Sequence, residues 1–460
     1  MNSSITIFGG TGDLTYRKLM PALYNLFARG LLNGNDLICA IGRKDYKQED
    51  YHKLITKWIE EFARLEVKEE VLQAFLTHVH YLKMDLSKKE EYSILQTFYQ
   101  DRHYDNTIVY YAVAPSFFEV ITDGLSQVTN LSKPKIVLEK PFGESLEQAF
   151  YLNEKLEAQF GKDAIYRIDH YLGKEMIRNI LTIRQTNYLI ANMWSKEHIQ
   201  CVHISAAERV GVGSRGSYYE QAGALKDMVQ NHLLQILTIV ALDNPDAELA
   251  QQQKEVLEHL RVIDASNVKD SVVLGQYEGY RLEEEVDPTS NVETYAALKV
   301  HIDHKRWKGV PFYICTGKRC SHPGIEVVVT FKRMKKEVAP NVLIIKIQPT
   351  EGVDLQLNVR HPQEELGLKQ VWMEYCQNCE DIFRLNTPEA YERMLWACLN
   401  NDASWFSKWD QIALSWKYVD GIKEAYKQEQ LPVKSYPVDS SGPSTSELTN
   451  DQEDHQWRIA

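Results

Sequence analysis

The sequence predicts an α/β domain followed by an α+β domain, and three observations predict it. Up to about residue 142, short apolar runs alternate with helical periodicity, the pattern of βαβ units on a mostly parallel sheet. After about residue 185, segments of alternating polarity follow one another, the pattern of an antiparallel sheet with helices. The chain has 460 residues, more than one simple core accommodates.

The elements read in order as follows. "SITIF" is a short apolar strand, and "GGTGDLTYRKLMPALYNLFARG" is a glycine turn leading into a helix with Leu19, Leu23 and Leu26 on one face. "DLICAIG" is a second strand, followed by amphipathic helices through about residue 76. "NTIVYYAV" (106–113) and "PKIVLEKPF" (134–142) are further buried strands. In the second half, "IQCVHISAAE", "ETYAALKVHID", "IEVVVTFKR", "NVLIIKIQP" and "GVDLQLNVR" alternate as strands, with helices at 221–242 and 389–399. The end, "SYPVDSSGPSTSELTNDQEDHQWRIA", is rich in Ser, Pro and acids and reads as mobile. There is no internal repeat.

A net charge of −12 argues against nucleic acid and anionic membrane surfaces as partners, so a phosphate-bearing ligand needs a local basic cluster. No apolar run approaches the ~18 residues of a membrane span. The N-terminus lacks the basic region of a signal peptide, and a cytoplasmic address is expected. The seven cysteines are scattered. "CQNC" (376–379) has no second pair at zinc-finger distance, so reduced thiols are expected and no metal site.

"FGGTGDLT" (8–15) stands where a dinucleotide pyrophosphate binds, between first strand and first helix. Gly9, Gly10, Thr11, Gly12, Asp13 and Leu14 are the candidate contacts. Thr15 occupies the place of the third Gly or Ala of the usual fingerprint, so the strict pattern fails, and a glycine turn of purely structural use is the alternative. The second strand ends Gly42-Arg43 rather than in the Asp or Glu that takes a ribose 2′-hydroxyl. Arg43 is free either to clamp a 2′-phosphate or simply to be solvated, and NADP is favoured over NAD.

Three further segments concentrate chemistry. "LEKPFG" (138–143) puts Lys140 at the end of a buried strand, before a proline whose peptide is a candidate for the cis form. "YRIDHYLGKE" (166–175) packs Arg, Asp, His, Tyr, Lys and Glu around one glycine, as where a strand ends on something small and charged. "DMVQNHLLQ" (227–235) puts His232 among apolar neighbours, where a core histidine is the ordinary reading. A carboxylate that fixes its tautomer, for which Asp169 is available, turns such a histidine into an oriented base.

Taken together, "GGTGDLTYRKLMPALY", "EKPFG", "RIDHYLGKE", "AGALKDMVQNHLLQ", "RWKGVPFYICTGKR", "YERML" and "WKYVD" resemble the glucose-6-phosphate dehydrogenase family in order and approximate spacing, from residue 5 to about 425. The resemblance implies an N-terminal Rossmann-type dinucleotide-binding domain (1–165). It implies a larger C-terminal β+α domain (166–435) on a mostly antiparallel sheet that carries a homodimer or homotetramer interface, and the composition makes 436–460 a flexible tail. It implies oxidation of D-glucose 6-phosphate at C1 to 6-phospho-D-glucono-1,5-lactone with hydride transfer to NADP+, the first step of the oxidative pentose phosphate route.

By the same resemblance His232 is the base and Asp169 its partner. His170, Tyr171 and Lys174 cradle the phosphate, Glu208, Asp227 and Lys318 hold the sugar, and Lys140 faces substrate and nicotinamide. Thr11 and Arg43 lie near the 2′-phosphate, and Asp85-Leu86 near the adenosine half. The sequence departs from the family at Pro323, where a second lysine is usual, at Cys315, where an arginine is usual, and in "SRGSYY". Losing one cation from such a site costs about 1–3 kcal/mol of binding if it made a charge-assisted hydrogen bond. A weaker or altered hexose-phosphate preference is therefore expected. The alternatives are a catalytically silent sensor of sugar phosphate and NADP(H), and a dehydrogenase of a related hexose phosphate.

Overall fold

A computed structural model describes residues 2–131, 133–143, 145–169, 171–361, 367–379 and 388–448. The chain forms two compact units, Met1–Gly173 with Leu385–Trp409, and Lys174–Arg384 with Asp410–Ala460.

In the first unit, β1 (Ser3–Phe8), β2 (Leu37–Gly42), β3 (Val79–Lys83), β4 (Asn106–Tyr111), β5 (Lys135–Leu138) and β6 (Ile165–Arg167) form a six-stranded sheet. The order is β3-β2-β1-β4-β5-β6, and every pairing is parallel. β1, β2 and β4 are buried at every position, as helices on both faces of a parallel sheet require. Leu19, Leu23 and Leu26, the predicted helix face, join that core together with Tyr51, Ile55 and Ile59 of the helix Gln48–Phe62. The strand order reverses between β1 and β4, so a crevice opens beyond their carboxyl ends, where the glycine turn lies.

The second unit is built on a nine-stranded sheet. Its strands are β7 (Ile199–Ala207), β8 (Val272–Tyr277), β9 (Tyr295–His301), β10 (Pro311–Gly317), β11 (Gly324–Phe331), β12 (Val342–Gln348), β13 (Gly352–Arg360), β14 (Leu368–Cys376) and β15 (Lys434–Tyr436). The order is β14-β13-β12-β11-β7-β10-β9-β8-β15. All neighbours are antiparallel except β7 with β10 and β8 with β15. β7 lies between β10 and β11 and carries the helical run 216–241 at its exit.

Four expectations are corrected. The boundary falls at Gly173/Lys174, not 165/166, because Ile165, Tyr166 and Arg167 pair with β5 and extend the first sheet. The helix Ala390–Leu399 belongs to the first unit, not the second. Met394, Leu395 and Cys398 join the first unit's core, and buried Glu392 takes Arg64 in a forked pair (Nε–Oε1 3.0 Å, Nη2–Oε2 2.9 Å) and Asn25 at 3.0 Å. The tail is not loose through 448, since β15 pairs with β8 and both Tyr436 and Leu448 are fully buried; residues 449–460 lie outside the described residues. Cys376 and Cys379 are joined as a disulfide across the bend that ends β14, their Cα atoms 5.6 Å apart, whereas Cys39, Cys201, Cys315, Cys320 and Cys398 are buried thiols. No described helix is long and apolar enough to cross a membrane, and no described group of three or more His, Cys, Asp or Glu side chains makes a metal cluster.

Glu392→Ala leaves the Arg64 guanidinium, nine per cent exposed, without its carboxylate. Denaturant unfolding is expected to show a loss of about 3–5 kcal/mol, the cost of breaking a buried pair from one side.

Candidate active site

The predicted residues are divided between the two units. In the first, β1 runs into a turn whose amides fold back: Gly9 and Gly10 N–H donate to the Ile41 carbonyl (3.1 and 2.7 Å), and Gly12 N–H to that of Gly9 (2.9 Å). Gly9 sits at φ 94°, and a Cβ there would stand 2.2 Å from the Ala112 carbonyl oxygen, so only glycine fits. The helix begins at Asp13, which leaves its first-turn amides facing the mouth of the turn. Thr15 has a specific use in place of the third small residue: buried, it donates its hydroxyl to the Gly9 carbonyl at 2.8 Å and ties the helix to the turn. Asp13 pairs with Arg17 at the surface.

Thr11 packs against Gly42, where β2 ends, and Arg43 follows, exposed to solvent. Asp85 lies within the field of Arg43, and its carboxyl is held below the usual range, first by the Ser87 hydroxyl and amide and then by Lys88 and Arg43. Leu86 is buried, its carbonyl taking the Tyr92 hydroxyl at 3.2 Å. These groups suit a dinucleotide: backbone approach at the turn, a helix N-terminus, and a cation rather than an acid directly after β2.

At the end of β5 two adjacent side chains take opposite roles. Glu139 is half-buried and bonded by the Tyr110 hydroxyl and by Tyr391, and desolvation pushes its carboxyl pKa up. Lys140, joined to Pro141 by a cis peptide, meets Asp169 at 2.9 Å (Nζ–Oδ2). Asp169 is fully buried, and its other oxygen accepts the Tyr171 amide at 3.0 Å. His170 lies outside the described residues.

In the second unit Glu208 leaves β7 and Lys318 leaves β10, and the two side chains form an ion pair. The Lys318 side chain is two per cent exposed, and its Nζ lies 5.1 Å above the ring of buried Tyr219. The Tyr219 hydroxyl is held strongly protonated by burial and then by the charges of Asp227, Glu293 and Glu208. Asp227 accepts a bond from the Tyr218 hydroxyl at 3.2 Å.

Asp227 and His232 share one segment, Leu225–Leu233, wound as a π-helix rather than an α-helix. Its i→i+5 hydrogen bonds give a wider turn than an α-helix, a winding found frequently at functional sites. His232 is buried, seven per cent exposed. The segment starts at a break, Gly223 (φ 62°), where a Cβ would stand 2.4 Å from the Glu293 carboxylate, and that carboxylate accepts the Leu225 amide at the positive end of the helix. Lys174 caps the start of the helix Glu175–Thr186; its Nζ bonds the Gln348 side chain, and Glu351 lies in its field.

The sequence family described as glucose-6-phosphate dehydrogenase, NAD binding domain, matches residues 6–179, and the corresponding C-terminal domain matches 181–458. The chain belongs to the glucose-6-phosphate dehydrogenase family. Among its relatives, the glucose-6-phosphate 1-dehydrogenase of Bacillus subtilis is 36% identical across 99% of this chain and 98% of its own. That of Streptococcus pneumoniae is 35% identical across 96% and 94%. A solved glucose-6-phosphate dehydrogenase in complex with its substrate glucose-6-phosphate superimposes with a TM-score of 0.87 at 30% identity, covering 97% of this chain and 96% of that one. The Mycobacterium avium glucose-6-phosphate 1-dehydrogenase gives 0.85 at 28% identity, covering 100% and 98%.

Tyr218, Tyr219, Glu293 and Gln348 escaped the sequence reading. The paired tyrosines were visible as an aromatic doublet before "AGALKD", but Gln348 carries no local signal. Of the departures, Cys315 is buried against Tyr295 (Sγ–Oη 3.2 Å), its thiol pushed up to about 12 by burial, so it serves the core; Pro323 is exposed. Gly9→Ala is expected to weaken dinucleotide binding at least about tenfold, since strain in the turn must be relieved by moving the phosphate-facing backbone. Fluorescence titration with NADPH checks it.

Proposed function

We propose that this chain oxidises D-glucose 6-phosphate at C1 to 6-phospho-D-glucono-1,5-lactone with NADP+ as hydride acceptor. The observation that carries the reading is the buried Lys318 ammonium, paired with Glu208 and seated over the ring of Tyr219, on the unit that also carries Asp227 and buried His232. Carboxylates and a buried ammonium of this kind suit the hydroxyls of a sugar, and a buried histidine suits a hydroxyl proton.

His232 takes the proton of the C1 hydroxyl, and Asp169 is the carboxylate that fixes its tautomer and stabilises the imidazolium. Glu208, Asp227 and Lys318 orient the ring. Lys174, with Tyr171 and His170, holds the phosphate. Lys140 faces the reacting end. Held by the glycine turn, a nicotinamide dinucleotide would supply the hydride acceptor for C1. Arg43 and Thr11 take the 2′-phosphate, which supports NADP+ over NAD+, and Asp85 and Leu86 flank the adenosine. The exposed apolar side chains Leu368, Met373 and Tyr375 on the edge strand β14 support assembly as a homodimer or homotetramer through that sheet.

Purified protein is assayed for NADPH formation with glucose 6-phosphate and, separately, NADP+ and NAD+. A rate with NADP+ that falls about 10²–10⁴-fold in His232→Asn is the expected result. Binding of both ligands with no turnover would overturn the reading in favour of a sensor. Arg43→Ala is expected to raise KM for NADP+ about tenfold, as loss of a charge-assisted bond does, with KM for NAD+ little changed.

A further inference from the structure

Lysine is a flexible residue, and a buried lysine binds a ligand with precision only if its backbone is held. The Lys318 peptide is gripped from both ends. Its N–H donates to the Thr294 carbonyl at 3.0 Å, and its C=O accepts the hydroxyl of Tyr436 at 2.7 Å. The same hydroxyl lies 3.1 Å from Thr294 Oγ1, so one tyrosine ties both grips together. Tyr436 is fully buried and belongs to the segment 434–448 near the carboxyl end.

That segment is fastened as a strap. β15 pairs with β8 in parallel register, Glu278 N–H returns to the Tyr436 carbonyl at 2.9 Å, Lys434 meets Glu447 at 2.5 Å, and Leu448 is buried in the cluster that holds Tyr219, Tyr295 and Cys315. Beyond Tyr436 the strap runs along the turn after Lys318: Asp439 N–H donates to the Arg319 carbonyl (2.8 Å) and Ser321 N–H to that of Ser440 (2.9 Å). Arg319 and Asp439 both adopt positive φ (55° and 56°), uncommon for side chains other than glycine. The turn in turn fixes Glu208, whose N–H donates to the Gly317 carbonyl (2.9 Å) and whose carbonyl accepts Cys320 N–H (3.0 Å).

We propose that Tyr436 is a positioning residue for the sugar subsite: the strap 434–448 sets the place of Lys318, and through it Glu208, and so sets affinity for the hexose phosphate. This rests on the reading of Lys318 and Glu208 as sugar contacts. It requires that loss of one hydroxyl, far along the sequence from the site motifs, act on sugar binding alone.

The test is a double-mutant cycle on the full chain with Tyr436→Phe and Lys318→Met, scored as KM for glucose 6-phosphate, KM for NADP+, kcat and Tm. Tyr99→Phe serves as the control for mere loss of a buried hydroxyl, since its hydroxyl bonds Thr6 at 2.8 Å in the first unit. Tyr436→Phe is expected to raise KM for the sugar about fivefold, what one neutral hydrogen bond is worth, with kcat and KM for NADP+ unchanged. In the Lys318→Met background that effect is expected to shrink to what Glu208 contributes, and Tyr99→Phe is expected to lower Tm without moving either KM. A lowered Tm with unchanged sugar KM in Tyr436→Phe, or an effect that persists undiminished beside Lys318→Met, would overturn the positioning role. A Lys318→Met protein with unchanged sugar KM would instead overturn the assignment of Lys318 itself, and the strap proposal with it.

Discussion

A buried ammonium has to be met by a carboxylate, and both units of this protein are arranged around that requirement. Lys140 follows β5 and pairs with fully buried Asp169; Lys318 follows β10, two per cent exposed, and pairs with Glu208. Each lysine stands where a strand ends and the sheet hands its chain to a turn. Taking an ammonium out of water without a partner costs several kcal/mol, so neither lysine is tolerable alone. The acids that answer them are drawn from segments that must then be held in place.

Much of the surrounding structure follows from that holding. Asp169 gives its second oxygen to a backbone amide. Glu139, next to Lys140, turns inward to Tyr110 and Tyr391 rather than competing for the same cation. The Lys318 turn is fixed through its backbone by Thr294, Tyr436 and the Glu208 main chain. Polar groups that must keep their places for chemistry are thus held by hydrogen bonds to backbone, which has little freedom to yield.

The helical segment with Asp227 and His232 meets a different constraint. It is wound as a π-helix, a rare form with i→i+5 hydrogen bonds. Such winding is tolerated because the helix starts at a glycine break capped by Glu293, and because its apolar face, with Leu225, Val229 and Leu233, is buried.

How much was legible in the sequence depends on the range of the interaction. The strand–helix alternation, the glycine turn, the lysine at the end of β5 and the identity of the family were all readable, because periodicity and short motifs are local properties of the chain. Four things were decided only by tertiary structure. Ala390–Leu399 returns to the first unit through Glu392 and Arg64. Residues 434–448 form a strap rather than a loose tail, though their composition reads as mobile. Lys318 lies over the ring of Tyr219. Cys376 and Cys379 are joined. Each depends on partners tens to hundreds of residues away or on the bend of one turn, and burial of a charge or hydroxyl is set by those partners, which no window of sequence contains.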